Sequence, residues 1–172
     1  MNTLEDTLNT LPPSPQELAR HVIEFSSEEM SGTGKIKPVL FAEKPDGKRA
    51  SFDVSAWMSD ESKQVLWEGV RAARRSCPVV GLITEVWLSE CKDRKWDGVM
   101  PRDRADRKEA ALFNLWQGRR VVTLIADILR DPSRLGEWRV LFDSDFPGKG
   151  KDKAEAVTGD MMEGQPYAGE GN

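Results

Sequence analysis

Apolar positions recur along this chain with two periods. Leu18, Val22 and Phe25 stand at i, i+4 and i+7, the spacing of an amphipathic helix. The segment before them, Ser14-Pro15-Gln16-Glu17, reads as a helix start. Ser14 suits the cap, Pro15 the first helical position, and Glu17 can close a capping box. The helix is expected to end before Ser31-Gly32-Thr33-Gly34. A hairpin follows, with Val39, Leu40 and Phe41 in one strand and Phe52 and Val54 in the next. Pro45-Asp46-Gly47 turns between them. A second helix is expected from Ser59-Asp60-Glu61, burying Val65, Leu66, Val70 and Ala73. Arg71, Arg74 and Arg75 favour its C-terminal dipole, and Pro78 stops it.

Period-2 patterning then takes over. Val79–Leu88 sets Val80, Leu82, Val86 and Leu88 on one face. Ala110–Trp116 and Arg120–Leu129 flank the short turn Gln117-Gly118-Arg119, and Val122, Leu124, Ala126 and Ile128 share a face. Trp138–Phe142 is expected as a last strand after Asp131-Pro132-Ser133. The order is α-β-β-α-β-β-β-β. It predicts an α+β fold: a single, mostly antiparallel sheet of five to six strands with two helices packed on one face. Residues 1–13 read as a flexible leader, 14–146 as one domain, and 147–172 as a disordered or loosely packed tail. That tail is dominated by glycine, lysine and acids and lacks Leu, Ile and Phe.

Charge changes this picture modestly. The whole chain has net charge −4. Residues 1–30 carry six acids and one base, and residues 147–172 carry five acids and three lysines, which leaves 31–146 at +3. A weakly basic body between acidic ends lacks the basic stripe of a dedicated DNA binder, so nucleic-acid binding, with Arg71, Arg74 and Arg75, stands only as a lesser alternative. No stretch approaches the roughly 18–20 apolar residues of a membrane span. The acidic beginning has no apolar signal region. Cys77 and Cys91 lie at opposite ends of one expected strand and cannot pair with each other, which points to reduced thiols and a cytoplasmic protein.

Several chemistries fall away. His21 is the sole histidine, so a His-rich zinc site is excluded, and no nucleophile has a signature that would use it. There is no CxxC, P-loop or GxGxxG, and no cofactor is expected. Ser31-Gly32-Thr33-Gly34-Lys35 lacks P-loop spacing.

Two segments remain as candidates. The first is 89–109, SECKDRKWDGVMPRDRADRKE, which joins two strands, whereas loops beyond roughly 12–15 residues are uncommon in compact domains unless functional or disordered. It carries seven bases, six acids, Trp96, Val99 and Met100. Trp and Arg are the residues of interaction hot spots, so Trp96, Met100, Arg102, Arg104 and Arg107 are the candidate contacts for a protein partner. The second is a set of sheet positions, Glu85, Asn114 and Asp127, that alternation could place on one face. Paired carboxylates there could hold Mg²⁺ or Mn²⁺ for a small hydrolase or nuclease, and an ordinary solvated sheet face would carry the same residues.

Ile83-Thr84-Glu85-Val86-Trp87, then Arg104-Ala105-Asp106-Arg107-Lys108-Glu109, then Ile128-Leu129-Arg130-Asp131 form a series of short motifs. They resemble the E-x-W, D-R-x-E and I-x-R-D pattern of a group of small uncharacterised bacterial and phage proteins. The resemblance covers about residues 79–131. It implies a phage or mobile-element accessory context and no particular activity. The expectation is a non-enzymatic binding protein that meets a protein partner through 89–109.

Overall fold

Three ten-residue strands form the centre of the molecule: β3 (Val79–Leu88), β4 (Lys108–Gln117) and β5 (Arg120–Leu129). The computed structural model describes residues 3–89, 99 and 101–145. Gly118, at φ 57°, lets a two-residue turn pair Gln117 with Arg120. A hairpin of β1 (Val39–Glu43) and β2 (Arg49–Asp53) lies antiparallel along β3. Gly47 at φ 84° closes its turn. Beyond β5 lie β6 (Arg134–Leu135) and β7 (Arg139–Asp145), both antiparallel to it. The sheet order is β2-β1-β3-β4-β5-β6, with β7 also paired to β5.

The α+β class and the antiparallel sheet stand as expected; the placement of the helices does not. Helix α2 (Pro13–Thr33) covers one face, where Leu18, Ala19, Val22 and Met30 meet Phe41, Ile83, Phe113 and Leu124. Helix α3 (Lys63–Ser76) covers the other, where Leu66, Trp67 and Val70 meet Leu82, Leu112, Trp116 and Ile125. The reason lies in the strands: β3 is buried at eight consecutive positions and β4 at seven. A sheet apolar on both faces must be covered on both.

The N-terminal segment also differs from the expected loose leader. Residues Leu4–Asn9 form helix α1, with a reciprocal capping box between Thr3 and Asp6. Its Leu8, followed by Leu11, enters the core beneath α2. Helix α2 starts at Pro13, so Ser14 lies inside the helix and does not cap it; its hydroxyl instead donates to Glu43. The same helix runs on to Thr33 and ends at Gly34, whose φ of 74° gives the left-handed C-cap. Helix α3 begins at Lys63, later than expected. Val65 faces solvent at 51% exposure, and Trp67 takes its place in the core. No helix among the described residues is long and apolar enough to cross a membrane.

Candidate functional site

The three motif segments meet at one end of the sheet. On the α2 face, Glu85 stands beside Ala111, and Trp87 beside Glu109. Arg130 follows directly on β5 and chelates Glu109, with Nε 3.0 Å from Oε2 and Nη2 2.9 Å from Oε1. The same guanidinium donates through Nη1 to the Gly34 carbonyl (2.6 Å) and to the Ser133 hydroxyl (3.1 Å). Arg130 therefore ties the C-cap of α2 to the start of β4. Glu85 lies behind this pair, 3% exposed, and accepts a 2.8 Å hydrogen bond from the Ile36 N–H. Burial pushes its carboxyl above the usual carboxylate range. The Glu109 charge adds to the rise, while the Ile36 N–H, Arg130 and Lys35 oppose it.

In front of the pair opens a cleft of about 600 Å³ at the base of the 89–109 connection. Trp87, Arg107, Lys108, Glu109, Asp127 and Arg130 are among the residues that line it. The Arg107 guanidinium lies 5.2 Å from the centre of the Trp87 ring, and Arg107 Nη1 donates to the Arg102 carbonyl at 2.5 Å. The Ser89 hydroxyl donates to Asp106 at 2.8 Å, which ties the two ends of the connection to each other. Arg102, in the 3₁₀ turn Pro101–Asp103, reaches Asp60 at 3.4 Å. Arg104 accepts, through its carbonyl, from the Arg107 N–H at 3.3 Å. Of the expected contact residues, Arg102, Arg104 and Arg107 thus belong to the described part of the connection. Trp96 and Met100 lie outside the described residues.

The expected trio of sheet residues does not share a face. Register pairs Asn114 with Leu82 and Thr123, and Asp127 with Ala110, all on the α3 face, while Glu85 points to α2. Asn114 is fully buried, where its Oδ1 accepts from the Thr123 hydroxyl at 2.6 Å. Asp127 is instead paired with Arg139 at 3.1 Å near the edge. Separated by the sheet, Glu85 and Asp127 cannot hold one cation. Among the described residues no group of three His, Cys, Asp or Glu side chains is placed to hold a metal ion.

The Arg74 guanidinium lies 5.5 Å from the Trp116 ring centre, so this arginine packs on its own sheet. His21 stacks on Phe25 with centroids 6.2 Å apart, beside a smaller hollow of about 250 Å³ lined by Glu17, Phe41, Arg49 and Ser51.

Arg130 and Glu109 were visible in the sequence only as motif letters. Their pairing required the β4–β5 register, which the two-residue turn fixes. No family model, no curated protein and no solved structure matches this chain.

Proposed function

We propose that the protein is a non-enzymatic binding module, of the accessory kind found in phages and mobile elements, that acts in the bacterial cytoplasm. It takes a protein partner at the sheet end formed by β3, β4 and β5, through the 89–109 connection and the cleft at its base. The observation that carries this reading is the Arg107–Trp87 stack at the mouth of that cleft. An aromatic ring and a guanidinium offer a partner both apolar area and directional donors, the chemistry of hot spots. Both are mounted at strand ends, and the Arg130–Glu109 chelate stiffens the floor behind them. Little conformational entropy is then lost on binding.

The test uses the tagged full chain to retain proteins from a bacterial lysate, followed by affinity measurement with the purified partner. Arg107→Glu and Trp96→Ala should each weaken binding at least tenfold. Val65→Lys, on the outer surface of α3, should leave it unchanged. All variants are checked for an unaltered melting profile. Equal affinity across the set would overturn the proposal.

A further inference from the structure

The sheet ends on one side at β2, and among the described residues no strand pairs with its outer edge. The hydrogen bonds that bracket the hairpin fix which groups point outward. Val54 N–H donates to the Pro38 carbonyl, and Lys44 N–H to the Lys48 carbonyl. Antiparallel pairing alternates, so Lys48, Ala50, Phe52 and Val54 turn their main chain toward β1. Arg49, Ser51 and Asp53 therefore turn theirs away. All three are exposed, and so is Phe52, at 50%. A long bare edge carrying a large apolar side chain is a pairing template, which folded proteins ordinarily blunt with charge, bulge or cover.

The other edge is blunted in that way. Strand β7 carries a register irregularity where it meets Thr123 and Leu124, and its exposed end holds Asp143 and Asp145. Strand β2 pairs with β1 without any such irregularity, and it carries a base at one end and an acid at the other.

We propose that β2 pairs edge to edge with β2 of a second copy of this chain, antiparallel, about a two-fold axis through Ser51. In that register Arg49 of each copy faces Asp53 of the other, so both ends are matched in charge. Ala50 faces Phe52 on the opposite side, a small residue against a ring. All three outward residues find an outward partner. Shifting the register by one pair in either direction preserves the hydrogen-bonding parity but matches only two of them. It also sets Arg49 or Asp53 opposite serine. The charged side chains are available for this pairing. Asp53 is 52% exposed; its Oδ1 accepts from the Ser55 N–H and hydroxyl, while its Oδ2 has a long contact with Lys37, at 3.9 Å, and is the oxygen that can take a new partner. Arg49 has two long contacts, to the Ser14 hydroxyl at 3.5 Å and to Glu43 at 3.8 Å.

The experiment is sedimentation equilibrium of the full chain across a wide concentration range. The wild type should show a reversible monomer–dimer equilibrium that weakens with salt. Arg49→Glu and Asp53→Lys should each raise the dissociation constant at least tenfold, because each sets like charges opposite one another. An equimolar mixture of the two should dimerise again, since glutamate at 49 then meets lysine at 53 and the native pair is kept at the other end. Native mass spectrometry would identify that species as the mixed dimer. Ser51→Pro removes an N–H that no bond among the described residues uses, and should give a folded monomer by circular dichroism. A wild type that is monomeric throughout overturns the proposal. So does a mixture that fails to re-form the dimer, or a Ser51→Pro chain that still pairs.

Discussion

Arg130 holds Glu109 with two parallel hydrogen bonds, and with its remaining nitrogen holds the carbonyl of Gly34, the residue that ends α2. One side chain thus joins β5, β4 and the helix cap. The Glu109 hydrogen bonds strengthen the hold of Arg130 on its proton, so it stays charged throughout.

Arg130→Ala should destabilise the chain by about 1–2 kcal/mol. The pair is partly solvated, which discounts the ionic contribution, and the lost bond to the Gly34 carbonyl makes up the rest. Arg130→Lys should recover less than half, because an ammonium cannot chelate a carboxylate from the side. Urea denaturation of the three chains would measure this; full recovery with lysine would refute the geometric argument.

Glu85 supplies a prediction in pH. Its folded carboxyl is raised, mainly by burial, above the ordinary 4.5. The folded state therefore holds the proton more tightly than the unfolded state. Its contribution is fully present below pH 4.5 and is lost as pH rises through the raised folded value. Glu85→Gln keeps an acceptor for the Ile36 N–H and cannot ionise. Its stability relative to wild type should grow as pH rises above 4.5, by roughly 1.4 kcal/mol for each tenfold difference in proton affinity. The charges that face the group, Glu109, Arg130 and Lys35, remain in both chains. A difference that does not vary with pH would show that burial is not governing the carboxyl.

Gly81 is a packing requirement. A Cβ built there would stand 2.9 Å from the Phe113 ring and 3.4 Å from Leu18. Phe113 is itself fully buried, so its ring has little room to withdraw. Gly81→Val should cost about 1–3 kcal/mol through overpacking. A melting temperature equal to that of the wild type would contradict this.

Leu8 tests whether the N-terminal segment belongs to the core. It is 1% exposed and packs in the cluster beneath α2. Nearby, Arg120 reaches from β5 to the Thr10 hydroxyl at 2.6 Å while pairing with Asp143 at 2.7 Å, so α1 is also tied down by polar contacts. Leu8→Ala should cost about 2–5 kcal/mol, the range for a large core truncation. A loss below half a kilocalorie would mean that the segment is dispensable.

Strands β3 and β5 were legible to the residue because β-branched residues at period two leave no competing reading. The helix α1 was legible too, since Thr3 and Asp6 form a capping box and Leu4, Leu8 and Leu11 recur at helical spacing. The expectation of a flexible leader over residues 1–13 passed these signals over. The two-sided cover of the sheet was written in VVGLITEVWL, apolar on both parities, although alternation was read for one face only. The parting of Glu85 from Asn114 was not legible. The β3–β4 register depends on how the 89–109 connection brings the strands together, and spacing cannot count across a connection of that length. The same holds for the meeting of Trp87, Arg107, Glu109 and Arg130, which come from three strand ends separated in sequence and adjacent in space.

The meander of β3, β4 and β5 has a consequence for assembly. Each strand pairs with the next in the chain, and their side chains supply both the layer under α2 and the layer under α3. Loop-closure entropy is low for β4 and β5, joined by two residues, and for the β1–β2 hairpin; it is higher for β3 with β4, across 89–107, and for β1 with β3, across 44–78. The inner strands can therefore gather before either helix docks, and they present two apolar faces when they do. Until both helices arrive, one face or the other is bare to solvent, and the interval between the two dockings is when this chain is most exposed to aggregation.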